Sequence, residues 1–167
     1  PEEYRSLPKR YPVTLNGTVF DIGKSTFSAG VLQRGSAWTG PVIVKTEANC
    51  QGIPERRLNG PPGPVMKYYP LYRSSGDLPD EAWTTPGLIV ERFTPEFDAT
   101  GNYLRVWTFC GDHERSTRYR SPDPLVKLEN VIDHEPVPVP DELRALRQEL
   151  GFDYGKFDYV CPNGQPV

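Results

Sequence analysis

Proline and glycine are spread along the whole chain, and this distribution limits what the sequence can fold into. The 167 residues include 19 prolines and 15 glycines. Proline interrupts helices and glycine marks turns, so these numbers argue against a helical bundle. Because the two residues are dispersed, they punctuate short strands and do not form one disordered tract. The sequence therefore favours a fold with several short strands and few helices.

The bulk composition excludes some classes of protein. Hydrophobic residues make up 37% and charged residues 25% of the sequence, and the formal net charge is -3. A net negative charge argues against a broad basic face, so no nucleic-acid partner is expected. The sequence contains no run of 18 apolar residues, so no membrane-spanning helix is expected. A chain of this length is most simply one domain with a sizeable core.

The N-terminus and the cysteines predict a cytoplasmic protein. Residues 1–5 lack the apolar core of a signal peptide, and a start at Pro1 instead of Met suggests a fragment or trimmed chain. Cys50, Cys110 and Cys161 are odd in number and lack metal-ligand spacing, which favours reduced thiols in the cytoplasm. The sequence carries no signal for an oligomeric state.

Short apolar runs and turn residues predict the main elements. Strands are expected at residues 42–45, 88–91, 104–110 and 157–161, with a return strand at 115–119 after the Gly111-Asp112 turn. The clearest helix is opened by Pro140-Asp141 and closed by Gly151, and a further helix is expected over residues 25–33. Antiparallel hairpins with few helices indicate the α+β class.

Two polar residues end apolar strands in the first half of the chain. Lys45 follows Val42-Ile43-Val44 and precedes a glycine-containing loop, so it can extend from a rigid strand toward phosphate groups. The alternative is a lysine that reaches solvent. Glu91 ends Leu88-Ile89-Val90, and a carboxylate there emerges into a cleft or onto the surface.

Two charged residues lie inside strands of the second half. Arg105 stands between large apolar residues, which fits either a salt bridge across a sheet or a guanidinium that binds an anionic oxygen. Asp158 shares its strand face with Val160 and needs a partner there, for which a hydrated Mg²⁺ is one candidate.

The segment Gly23-Lys24-Ser25-Thr26 looks like the end of a phosphate-binding P-loop. That motif requires its first glycine at position 18, where the chain has Thr18, and it also requires a parallel βαβ pattern that is lacking here. A P-loop NTPase is therefore rejected, and Lys24 remains a secondary candidate for a phosphate contact. His113 and His134 are isolated, so a zinc site is not expected.

In order and spacing, the strands and their polar residues resemble the ATP-grasp superfamily from about residue 13 to the end. The matching segments are Gly40-Pro-Val-Ile-Val-Lys45 with its loop through Gly52, Leu88-Ile-Val-Glu-Arg-Phe93, Tyr103-Leu-Arg-Val-Trp-Thr-Phe109 and Leu150-Gly-Phe-Asp-Tyr-Gly-Lys-Phe-Asp-Tyr-Val160. The resemblance implies one ATP-grasp-like domain with a smaller lysine and hinge portion (about 13–95) and a metal-binding portion (about 96–167), which hold ATP between them.

The resemblance also implies roles for these residues. Lys45 would hold ATP phosphates under the loop 46–52, and the hinge Glu91-Arg92-Phe93 would lie beside adenine. Arg105 would bind phosphate or the reacting carboxylate, and Asp158 would bind Mg²⁺. Enzymes of this type activate a carboxylate as an acyl phosphate, which an amine or a thiol then attacks. The partners would be ATP, Mg²⁺ and a carboxylate whose identity the sequence leaves open.

The sequence departs from the family pattern after the Asn163-Gly164 turn. The family supplies a second acidic metal ligand and an asparagine on the next strand, and Val167 is where that strand would begin. The chain is therefore expected to be either a truncated ligase or a non-catalytic nucleotide-binding or regulatory module. A phosphotransferase of similar fold and a purely structural interaction domain stay open as further alternatives.

Overall fold

The computed structural model describes residues 13–48, Ile53 and residues 66–167, and these form an α+β fold with antiparallel sheets, as the sequence predicts. The chain divides into two compact units. One is Asp21–Thr94, called here the Lys45 unit. The other combines the segment that ends at Phe20 with Pro95–Val167 and is called the Asp158 unit. Residues 49–52 of the predicted phosphate-covering loop lie outside the described residues.

The Lys45 unit contains a three-stranded antiparallel sheet in the order β2-β1-β3. Its strands are β1 (Val42–Thr46), β2 (Leu71–Tyr72) and β3 (Leu88–Arg92), with short helices α1 (Lys24–Phe27) and α2 (Glu81–Thr84). Alternate residues of a strand point to opposite faces. One face of the sheet therefore buries Val42, Val44 and Val90 with Leu32 and Ala82.

The Asp158 unit contains a five-stranded antiparallel sheet, in which β4, β5, β6 and β7 follow one another and β8 pairs with β5. The strands are β4 (Glu96–Asp98), β5 (Gly101–Cys110), β6 (His113–Ser121), β7 (Asp133–Pro136) and β8 (Tyr154–Tyr159), and helix α3 is Asp141–Leu150. The β5–β6 hairpin turns at Gly111-Asp112, where the sequence predicts it.

The sheet of the Asp158 unit has one covered face and one open face. Trp107, Phe109 and Tyr159 point to the covered face, where they pack in one core cluster with Leu143 of α3. Trp107 is fully buried. The neighbouring residues of β5 and β8 alternate to the other side, here called the open face. This alternation decides which charged side chains of the unit can meet.

The helix expected over residues 25–33 is wrong beyond its first turn, since α1 ends at Phe27. The chain that follows pairs with a strand. Leu32 donates its backbone N–H to the carbonyl of Val90, and Arg92 donates to the carbonyl of Gly30. These long-range backbone hydrogen bonds outweigh a weak local helix preference.

Helix α3 is confirmed together with its C-terminal glycine. Gly151 has a φ of 72° and its N–H donates to the carbonyls of Arg147 and Gln148, which is the left-handed end that glycine favours. In the part of the chain that the structure describes, no helix is long and apolar enough to cross a membrane.

Replacement of Gly151 tests this helix end. Gly151→Ala is expected to lower the free energy of unfolding by about 1–2 kcal/mol, because a side chain in this conformation is strained and its Cβ would lie 2.7 Å from Oγ1 of Thr18. Urea unfolding followed by circular dichroism measures the loss. The matched control is Gly76→Ala, whose Cβ would meet only the Ser74 hydroxyl at 3.6 Å. An equal effect of both substitutions would contradict the strain argument.

Candidate functional site

Lys45 and Glu91 meet on one face of the sheet in the Lys45 unit. Lys45 pairs across the sheet with Ile89, and Glu91 pairs with Ile43, so the two charged residues are diagonal neighbours. The Nζ atom of Lys45 donates a hydrogen bond to Oε2 of Glu91. Only 7% of the Glu91 side chain is exposed, against 28% of that of Lys45. A buried carboxylate needs a cationic or hydrogen-bonding partner. Its bond to Glu91 therefore holds the Lys45 ammonium group in one position beside the strand.

The side chain of Lys24 forms hydrogen bonds with the backbone at the end of the same strand. Its Nζ donates to the carbonyl of Thr46 at 2.8 Å, to that of Glu47 at 3.4 Å and to that of Ala48. The carboxylate of Glu47 in turn accepts a hydrogen bond of 2.7 Å from the Ser25 hydroxyl. The Lys24 ammonium therefore holds the backbone that follows Lys45, and it does not form part of a P-loop.

The backbone amides of the predicted hinge have partners inside the unit. Arg92 donates its N–H to the carbonyl of Gly30 at 2.8 Å, and Phe93 donates to that of Pro41 at 2.9 Å. The guanidinium of Arg92 lies 5.4 Å from the centre of the Trp38 ring, within cation–π range. The hinge is thus built into the sheet edge, and these two amides must exchange partners before they can contact an adenine.

Arg105 forms a two-pronged ion pair with Glu96 on the covered face of the Asp158 unit. Its Nη2 lies 2.7 Å from Oε1 of Glu96, and its Nε lies 2.9 Å from Oε2. The same carboxylate accepts the backbone N–H of Cys161 at 2.7 Å, and Nη1 of Arg118 lies 3.9 Å away. Of the two alternatives that the sequence leaves open, a salt bridge across the sheet is the arrangement observed.

This pair sets the charge state of its members. Burial raises the pKa of Glu96, but the hydrogen bonds from Arg105 and the Cys161 amide, with the charges of Arg105 and Arg118, outweigh burial and hold the pKa below its ordinary value. The hydrogen bond to Glu96 raises the pKa of Arg105. Burial also raises the pKa of the Cys161 thiol. The carboxylate of Glu96 is therefore ionised and already bound.

Asp158 points to the open face, opposite to Arg105. It pairs in register with Val106, whereas Arg105 pairs with Tyr159 of the covered face. Its carboxylate is 48% exposed and lies 3.0 Å from Nζ of Lys156, which is 57% exposed. Sequence reasoning missed Lys156, although its position two residues before Asp158 in a strand puts both on one face.

The structure thus brings some of the predicted site residues together and separates others. Lys24, Lys45, Glu91, Arg92 and Phe93 all belong to the Lys45 unit. Arg105 and Asp158 belong to the Asp158 unit but occupy opposite faces of its sheet. Within that unit, the exposed pair of Asp158 is with Lys156 and not with Arg105.

Asp158 and Lys156 carry groups of the chemical kinds that bind Mg²⁺ and phosphate in other proteins. Mg²⁺ in nucleotide sites takes one or two carboxylates and fills its other positions with phosphate oxygens and water, and the exposed Asp158 can serve as one such ligand. In the structure, the Lys156 ammonium contacts the Asp158 carboxylate. If a cation bound Asp158, the same ammonium could bind a phosphate oxygen instead. Among the described residues, no three His, Cys, Asp or Glu side chains form a group suited to a metal ion.

Comparison with models of protein families, with curated proteins and with solved structures finds no match to this chain.

The Glu96 carboxylate predicts a specific dependence of stability on pH. A lowered pKa means that its contribution is present above the ordinary value of 4.5 and is lost as the pH falls through the pKa in the folded protein. Glu96→Gln is expected to cost about 2 kcal/mol or more at neutral pH, since it leaves Arg105 without a counter-charge. The difference in unfolding free energy between the two proteins should shrink as the pH falls below 4.5.

The control for this measurement is Glu135→Gln. Glu135 also pairs with an arginine, Arg118, but 55% of its side chain is exposed, so the loss should stay within about 1 kcal/mol. Denaturant unfolding at several pH values gives both differences. A constant gap between the wild type and Glu96→Gln would contradict the assigned role of the carboxylate.

Proposed function

We propose that this chain is the nucleotide-binding part of an ATP- and Mg²⁺-dependent carboxylate ligase. In the reaction, a carboxylate oxygen attacks the γ-phosphorus of ATP, ADP leaves, and an acyl phosphate forms. An amine or a thiol then attacks the carbonyl carbon, and inorganic phosphate leaves. The observation that carries the proposal is the Lys45–Glu91 pair, in which a buried carboxylate holds a lysine at the end of a rigid strand.

The ammonium group of Lys45 has the capacity for a phosphate contact. A lysine ammonium carries three N–H donors, and Glu91 accepts from one of them. In the region that the structure describes, the other two have no hydrogen-bond partner. A positive charge fixed by a buried partner can offset the charge of a phosphate without reorganisation, which is how preorganised groups stabilise phosphoryl transfer.

Asp158 and Lys156 are the candidate metal and phosphate ligands within the Asp158 unit. Asp158 would hold Mg²⁺ by one carboxylate oxygen, and Lys156 would bind a phosphate oxygen beside it. When bound, Mg²⁺ offsets the charge that develops on the transferred phosphoryl group. Arg105 acts differently, since its bond to Glu96 keeps β4 and the Cys161 backbone in place. We assign Arg105 a positioning role.

A second candidate function is a non-catalytic nucleotide-binding module. The engagement of Arg105 with Glu96 favours it, because the arginine that the family resemblance assigns to the reacting oxygens is already paired. Release of ADP separates the two functions. A ligase releases ADP when a suitable carboxylate is present and forms a hydroxamate when hydroxylamine replaces the natural nucleophile, whereas a binding module does neither.

Thermal unfolding with Mg·ATP tests the nucleotide site. At about 100 times the dissociation constant, the nucleotide should stabilise the wild type by about 2.7 kcal/mol. Lys45→Ala alone would leave the buried Glu91 unpaired and destabilise the fold, so the variant of choice is Lys45→Met with Glu91→Gln. It should lose the stabilisation by Mg·ATP. Arg73→Gln is the control, because Arg73 belongs to the same unit and 94% of its side chain is exposed.

The opposing outcomes of this experiment are distinct. An equal shift in the wild type and the double variant would remove Lys45 from the site. A shift with Mg²⁺ alone that ATP does not increase would contradict nucleotide binding. The absence of any shift in the wild type would contradict the proposal for this chain.

Asp158→Asn tests the metal ligand. The substitution retains the size of the side chain but removes its charge, so it should weaken ATP binding in the presence of Mg²⁺ by about tenfold, a loss of about 1.4 kcal/mol. ATP binding in the presence of EDTA should change little. Isothermal titration under both conditions measures the effect, and Asp153→Asn serves as an exposed control in the same unit. Equal weakening with and without Mg²⁺ would contradict a ligand role.

A further inference from the structure

A cavity of about 500 Å³ lies on the open face of the Asp158 unit. Its floor is formed by paired residues of β5, β6 and β7. Thr108 pairs with Arg115, and Tyr119 pairs with His134. Leu128 and Val131, from the connection between β6 and β7, form its rim. Its volume lies in the range of small-molecule sites, which is about 300–1,000 Å³.

The lining of the cavity mixes aliphatic and aromatic side chains with the hydroxyl groups of Thr108 and Thr117 and has one cationic end. Val106, Leu128 and Val131 supply aliphatic surface. The rings of Tyr119 and His134 stack with their centres 6.0 Å apart. At the other end lies Arg115, whose guanidinium has no ion-pair partner among the described residues, and the described residues of the lining include no Asp or Glu. Such a site complements a ligand that has an apolar body and one anionic group.

The cavity adjoins the Asp158–Lys156 pair. Val106 of the cavity wall pairs with Asp158, and Thr108 pairs with Lys156. Neighbouring strands are about 4.8 Å apart, so Arg115 lies two strand spacings from Lys156 on the same face. A carboxylate bound at Arg115 therefore lies on the same face as Asp158 and Lys156, the residues proposed to bind Mg²⁺ and phosphate.

We propose that this cavity binds the carboxylate substrate of the reaction, which accepts the phosphoryl group from ATP. The substrate is an organic monocarboxylate with an aromatic or branched aliphatic body. This assignment rests on the proposed function. Arg115 binds the carboxylate through a pair of charge-assisted hydrogen bonds, and the aromatic and aliphatic side chains take the apolar body. One arginine offsets the single charge of a carboxylate, and Val106, Leu128 and Val131 supply apolar surface that an organic ligand can cover and an inorganic phosphate cannot.

An NMR titration tests the cavity without nucleotide. The probe is 3-phenylpropionate, added to the isotope-labelled chain while amide resonances are followed. Saturable shifts are expected at Thr108, Arg115, Tyr119 and His134. The neutral amide of the same shape, 3-phenylpropanamide, and the variant Arg115→Gln should each weaken binding by about tenfold. Leu128→Ser should weaken it severalfold, and Arg73→Gln should leave it unchanged.

Several results would overturn the assignment. They are the absence of localised shifts up to the solubility limit of the probe, equal binding of acid and amide, and full binding to Arg115→Gln. Displacement of the probe by inorganic phosphate at equal concentration would show a general anion site instead. Arg115 and Leu128 are exposed, so both variants should fold, and their spectra verify this directly.

The titration distinguishes failure of this inference from failure of the proposed function. Carboxylate binding without any stabilisation by Mg·ATP would support the cavity and contradict the ligase. Stabilisation by Mg·ATP without carboxylate binding would leave the nucleotide site in place and remove the cavity as the acceptor site.

Discussion

The ion pair between Arg105 and Glu96 connects more of the Asp158 unit than any other polar contact described. It joins β4 to β5, and the Glu96 carboxylate also accepts the amide of Cys161 just beyond β8. Arg118 of β6 approaches the same carboxylate. Two arginines and an amide thus converge on one nearly buried acid. A buried carboxylate without partners is costly. The paired strands supply the donors that keep Glu96 ionised, and the ionised carboxylate in turn holds these strands together.

In the Lys45–Glu91 pair, a buried carboxylate is again bound by a cation, but here the cation keeps hydrogen-bond donors for a ligand. Glu96 accepts three hydrogen bonds from the Nε and Nη2 atoms of Arg105 and one from the Cys161 amide, so both of its oxygens already have donors. Glu91 accepts a single hydrogen bond from the ammonium group of Lys45, and 28% of the Lys45 side chain is exposed. One pair therefore stabilises a sheet, whereas the other presents a fixed cation. This contrast is why the nucleotide proposal relies on Lys45 and not on Arg105.

Local patterns predicted the parts of the fold that local chemistry controls. The β5–β6 hairpin follows from its alternation and from Gly111-Asp112, and α3 follows from its apolar stripe and Gly151. Two short strands, β4 and β7, lacked a signal because Glu96–Asp98 and Asp133–Pro136 are polar and exist only through pairing with neighbours. The helix predicted over residues 25–33 ends at Phe27 because residues 30–32 form backbone hydrogen bonds with β3. Local sequence gives no sign of this long-range pairing. The partner of Lys45 also depends on register, which the sequence alone does not supply.

Strand alternation gives the strongest constraint on chemistry in the Asp158 unit. Arg105 and Val106 are adjacent in sequence, yet Arg105 pairs with Glu96 on the covered face and Val106 lines the cavity on the open face. Within the Asp158 unit, the side chains that share a face with Asp158 are those in register with Val106 and Thr108, namely Lys156, Thr117 and Arg115. Arg105 lies on the opposite face and pairs there with Glu96. Among the residues that the structure describes, the open face carries one cation on either side of β5, which are Lys156 beside Asp158 in β8 and Arg115 in β6.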